Sequence, residues 1–77
     1  MFIAGEDCII NMEDVSAIYI DRKNKMKARM KDGSEYALGW HPDEKAMKEA
    51  LSSIADSISM GYEVFVLRYS GKEEERT

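Results

Sequence analysis

The chain has 77 residues, 44% apolar and 34% charged, with a formal net charge of −4. That length supports one hydrophobic core rather than two, and the acidic balance disfavours nucleic acid unless a local basic patch offsets it. Cys8 is the single cysteine, which excludes an intramolecular disulfide and a cysteine-based zinc site and points to a reducing, cytoplasmic setting.

Met1 to Ala4 are apolar, but Glu6 and Asp7 interrupt the run before a signal-peptide core or membrane span develops, so no membrane partner is expected. Phe2 to Ala4 and Cys8 to Ile10 read as two short strands around a turn at Gly5-Glu6-Asp7. Asn11 to Asp14 offers side-chain oxygens to the backbone, favouring a turn or one helical turn before Val15.

Ser16 to Asp21 carries Ile18, Tyr19 and Ile20 into a polar tip, Arg22-Lys23-Asn24-Lys25, where Asn24 suits positive φ. Met26, Ala28 and Met30 then alternate with Lys27, Arg29 and Lys31, the period of a strand with one buried and one wet face. At the next turn a two-residue Asp32-Gly33 loop would point Tyr36, Leu38 and Trp40 away from Met26, Ala28 and Met30. A three-residue loop, Lys31-Asp32-Gly33, with Gly33 left-handed, instead pairs Ala28 with Tyr36, Met26 with Leu38, and Arg29 with Glu35. Tyr36 and Trp40 then lie opposite the basic face.

Met47, Ala50, Leu51, Ile54, Ala55 and Ile58 recur at helical spacing, which predicts a helix over about 43–60. Pro42 suits its first position, Asp43 and Glu44 its positive end, and Gly61 its termination. Met26, Ala28, Met30, Tyr36 and Leu38 are the surface for it to cover. Val64-Phe65-Val66-Leu67 is an unbroken apolar run, a closing strand expected to be covered on both faces or along an edge. Ser70 to Thr77 has no apolar anchor and reads as a disordered charged tail. The expected fold is α+β over 1–69: an antiparallel meander of about five short strands, a C-terminal amphipathic helix packed on one face, and a closing hydrophobic strand.

Few residues invite chemistry. His41 has no second histidine or cysteine nearby to complete a metal site, and a role at the helix start accounts for it. Cys8 lies in an apolar run without a neighbouring cation, as an inert packing residue would. No glycine-rich phosphate loop precedes the helix. The reading is therefore non-enzymatic, with no catalytic residue, metal or cofactor assigned. Arg22, Lys23, Lys25, Lys27, Arg29 and Lys31 do concentrate charge on one hairpin, a candidate site for an anion, a nucleotide, nucleic acid or a protein partner. Without interleaved aromatics on that face a solvated or protein-contacting role outweighs nucleic acid. Trp40 is a candidate anchor for such a partner, against the plainer reading that it closes the core. Val64, Phe65, Val66, Leu67 and Tyr69 are the candidate oligomer interface, with the chain itself as the expected partner.

The opening Met1-Phe2-Ile3, Ile9-Ile10-Asn11, Val15 with Ile18-Tyr19-Ile20, Asp32-Gly33-Ser34-Glu35-Tyr36 with Leu38-Gly39, the helix and Val64-Phe65 together resemble short uncharacterised α+β proteins of phages and prophages of Gram-positive bacteria. The resemblance implies a mobile-element setting, in which some small β-rich proteins bind and inhibit or regulate host machinery. It supplies no catalytic residue.

Overall fold

The computed structural model describes residues 1–5 and 7–67, which form β1 (Phe2–Ala4), β2 (Ile9–Asn11), β3 (Val15–Ile20), β4 (Lys25–Met30), β5 (Glu35–Trp40), α1 (Glu44–Met60) and β6 (Val64–Val66). The α+β class holds, but the strands divide into two sheets of three, ordered β2-β1-β6 and β3-β4-β5. The split falls at a single 3₁₀ turn, Met12–Asp14, where Asn11 Oδ1 accepts from the Glu13 N–H at 3.0 Å. That side-chain bond supports a helical turn where a continuous meander would need a strand connection. The helix is mid-chain, at 44–60, rather than C-terminal. β6 runs parallel to β1, and such a strand can only be reached by a long crossover, of which α1 is part. The tail expected at 70–77 lies outside the described residues.

Both turns of the second sheet are three-residue loops closed by a left-handed residue. Gly33, at φ 95°, donates to the Met30 carbonyl at 3.0 Å while Met30 donates to Ser34 at 2.8 Å. Asn24, at φ 63°, repeats the arrangement, donating to the Asp21 carbonyl at 3.1 Å while Asp21 donates to Lys25 at 2.9 Å. The resulting register pairs Arg29 with Glu35 and Ala28 with Tyr36, as expected. It then shifts, so that Met26 faces Gly39 rather than Leu38, and Lys25 faces Trp40. Leu38 is the extra residue of a β-bulge; its side chain is fully buried, and the slip carries Trp40 to the outer face with Lys25. A second irregularity at Ser16 has the same logic. Val15, Ile18 and Ile20 cannot all face the core at a strict period of two, and the bulge brings all three against it. The Ser16 hydroxyl donates to the Arg29 carbonyl at 3.1 Å, tying the irregular segment to β4.

One core fills the space between the two sheets and α1: Ile3, Ile10, Met26, Ala28, Leu38, Met47, Ala50, Ile54 and Leu67. Burial of a side chain the size of Ile3 or Met47 contributes roughly 1.5–3 kcal/mol before ordering costs. The buried stripe of α1 is Met47, Ala50, Ile54 and Ser57. It is rotated from the expected one, so Ala55 and Ile58 are exposed and Leu51 half-buried. Ser57 is accommodated because its hydroxyl donates to the Ser53 carbonyl at 2.9 Å. Tyr36, expected beneath the helix, is instead exposed. Gly61 ends α1 in the left-handed conformation, donating to Ile58 at 3.1 Å, and Tyr62 donates to Ser57 at 3.0 Å.

Gly5 marks where the two sheets meet. A Cβ there would lie 2.7 Å from the Leu38 carbonyl oxygen and 3.1 Å from its Cα, contacts with backbone that cannot swing aside. Gly33 has nothing within 4 Å of its would-be Cβ. Gly5→Ala is therefore expected to destabilise through overpacking, by about 1–3 kcal/mol. Gly33→Ala should cost only the strain of a left-handed alanine, about 1–2 kcal/mol. Near-ultraviolet circular dichroism during urea unfolding separates the two, because only Gly5→Ala should also disturb the native packing signal.

Candidate interaction surfaces

The strand expected to be covered leaves one apolar face exposed. β6 is an edge strand paired with β1 in the register Phe2 with Val64, Ile3 with Phe65 and Ala4 with Val66. Ile3 is buried, so Phe65 shares its inner face and is half-buried, and Leu67 is buried. Alternation sends Val64 and Val66 to the outer face with Phe2. There Phe2 is 46% exposed, Val64 and Val66 are each 55% exposed, and Ile9 across the sheet is 71% exposed. Among the described residues nothing covers this apolar face, because the helix spends its apolar stripe on the inner side. Tyr69 lies outside the described residues, so its place in this surface is not assigned. An open groove runs between β6 and α1, lined by Glu49, Ala50, Ser53, Ser57 and Tyr62.

The second surface is the outer face of the β3-β4-β5 sheet. Lys27 faces Tyr19 on one side and Ala37 on the other, Arg29 faces Ala17 and Glu35, and Lys25 faces Trp40. Aromatic side chains are thus interleaved with the cations, contrary to the face expected for Trp40. The sequence pattern omitted the bulge at Leu38, and Tyr19 could have been found from its alternation with Ile18 and Ile20.

Local carboxylates balance part of this charge. Lys27 Nζ lies 3.3 Å from Asp21 Oδ2, and Arg29 Nη2 lies 3.1 Å from Glu35 Oε2. The Arg29 guanidinium also sits over the Tyr19 ring at 5.6 Å, and the Tyr19 hydroxyl donates to Glu35 Oε2 at 2.9 Å. Among the described residues no salt bridge engages Arg22, Lys23, Lys25 or Lys31. Arg22, Lys23, Lys25 and Lys27 border a shallow hollow with Asp21 and Ala37.

Trp40 and its neighbours fasten this hairpin to the helix start. The Trp40 indole N–H donates to the Lys23 carbonyl at 2.8 Å, and the Asn24 amide donates to the Pro42 carbonyl at 2.9 Å. Pro42 precedes the helix rather than opening it, since Asp43 is the N-cap and accepts from Lys45 N–H at 3.0 Å. His41 Nδ1 accepts from Asp43 N–H at 3.0 Å, the helix-start role anticipated for it. Burial, reinforced by the Asp7 carboxylate, raises the pKa of the Cys8 thiol, which approaches the Ala37 carbonyl at 3.9 Å. A thiol held protonated is a poor nucleophile. Among the described residues no three His, Cys, Asp or Glu side chains gather as a metal site, and no helix is long and apolar enough to cross a membrane.

Comparison with protein families, curated proteins and solved structures finds no match.

Among the described residues three carboxylates hold their protons less readily than usual. Asp21 is lowered by the Lys25 backbone N–H first, with Lys23 and Lys27 adding to it. Asp32 is lowered by the Ser34 hydroxyl and N–H, and Glu35 by the Tyr19 hydroxyl and then Arg29. A folded-state pKa below the unfolded one contributes stability that is complete above the unfolded value and disappears as pH falls through the folded one. The urea midpoint should therefore hold steady from pH 7 to about 5 and fall below roughly pH 4, where carboxylates titrate. Asp21→Asn should flatten that acid limb; an unchanged acid dependence would contradict the role given to Asp21.

Proposed function

We propose that this chain is a non-enzymatic interaction protein that self-associates and binds a protein partner through the β2-β1-β6 sheet. One observation carries the reading: Phe2, Ile9, Val64 and Val66 leave an apolar sheet face open to solvent, beside an edge strand that can still add a neighbour. Exposed apolar clusters of this kind mark contact surfaces. Catalysis is disfavoured by the chemistry at hand, since His41 is engaged at the helix start and the Cys8 thiol is held protonated. Host-directed inhibition or regulation, the role suggested by the resemblance to phage and prophage proteins, would use the same face in a cytoplasmic setting. Sedimentation equilibrium should give a mass above that of the monomer, and Val64→Lys should lower the self-association constant at least about tenfold, 1.4 kcal/mol. A strict monomer at high micromolar concentration overturns the reading.

A second reading, binding of single-stranded nucleic acid or another anion, is favoured by the placement of Tyr19 and Trp40 among Lys25, Lys27 and Arg29 on one sheet face. Bases stack on exposed aromatics while cations track phosphates. A fluorescent oligonucleotide at low salt tests it: affinity should fall steeply as salt rises and vanish in Arg22→Glu/Lys25→Glu. Absence of binding at low salt removes this reading.

A further inference from the structure

The backbone of β6 defines what can dock along it. Phe2 N–H donates to the Glu63 carbonyl at 2.8 Å, and Leu67 N–H donates to the Ala4 carbonyl at 2.9 Å. In a parallel ladder the bonding residues alternate, so Glu63, Phe65 and Leu67 turn their backbone groups toward β1. Val64 and Val66 turn theirs the other way, over the groove beside α1. Among the described residues no strand lies there.

An added antiparallel strand must offer outward N–H and C=O groups at two positions, separated by one residue whose side chain lies on the inner face. β6 meets its own requirement. Val64-Phe65-Val66 reads the same in both directions, with the two valines on the outer face and Phe65 on the inner.

We infer that the occupant of this edge is β6 of a second copy, running antiparallel about a two-fold axis at Phe65. Val64 pairs with the partner's Val66, Val66 pairs with the partner's Val64, and each pair exchanges two backbone hydrogen bonds. Phe65 lies opposite the partner's Phe65 on the inner side, where Ala50, Ser53 and Ser57 keep the groove open. The two sheets become one sheet of six strands, and the two outer apolar faces join into a single surface for the protein partner. The interface is self-complementary and closes at two copies, using up the one free edge of β6 in each. This assignment rests on the self-association proposed above and specifies its register.

Cysteine pairing reads that register directly. The variants are built on Cys8→Ser, which removes the native thiol without touching β6. Directly opposed residues of an antiparallel pair have Cα atoms about 4.5–5.5 Å apart, within disulfide reach. Val64 and the partner's Val64 are offset by two residues and lie beyond about 7 Å, out of reach. Under mild oxidation Val64→Cys and Val66→Cys should each remain uncross-linked alone. Their equimolar mixture should cross-link, at least about tenfold faster than either alone, and Phe65→Cys should cross-link with itself. Because Val64 and Val66 are exposed, the mixture experiment does not depend on Phe65→Cys folding. A dimeric mass together with Val64→Cys linking to itself, or with no linking in the mixture, overturns the register and leaves self-association standing. A monomeric mass in every variant and in the parent overturns both.

Discussion

The bulge at Leu38 is the constraint on which both sheets depend. It lets the neighbours Leu38 and Gly39 both face in, sealing the core where Met26 and Ala28 approach from β4. The Leu38 backbone is also the surface against which Gly5 is pressed. The first hairpin thus abuts the second sheet at a point where a methyl group has no room, and the two three-stranded sheets share one core instead of burying two small ones.

The same bulge decides the chemistry of the opposite face. By moving Trp40 one residue in register, it takes a large aromatic from the core side and sets it beside Lys25. Trp40 then reaches the Lys23 carbonyl, while Asn24 reaches Pro42. These two bonds lock the basic hairpin to the corner that opens α1. An indole N–H and an amide that would be costly to leave unpaired fix the helix start, so the position of α1 over the core follows partly from polar contacts at its end. The cation face is correspondingly ordered, with Lys27 and Arg29 held by Asp21 and Glu35.

The first sheet is organised differently. Its strands are short, its inner face is occupied by Ile3, Ile10 and Phe65, and among the described residues its outer face receives no covering layer. Small domains gain stability from added partners when one core is too little. An open apolar face and a self-complementary edge strand are the features that the proposed association would engage.

Much of this was legible in the residues. The alternation of Met26, Ala28 and Met30 with cations marked a two-faced strand, and Gly33 marked a left-handed loop end that fixes the first pairings of β5. Asp43 and Gly61 bracketed the helix, and His41 was read correctly as a helix-start residue. These are local matters of backbone freedom, capping and period. Three things required the tertiary structure. The bulges at Leu38 and Ser16 exist because packing demands that neighbours in sequence share a face, which a period of two cannot express. The helix stripe runs to Ser57 rather than Ile58 because the angle of α1 is set by the sheets beneath it. β6 lies exposed because its neighbour is β1, 62 residues back in the chain, and hydrophobicity alone does not say which side of a strand another element will cover. Sequence determined which segments are strands, turns and helix; packing decided the faces they present.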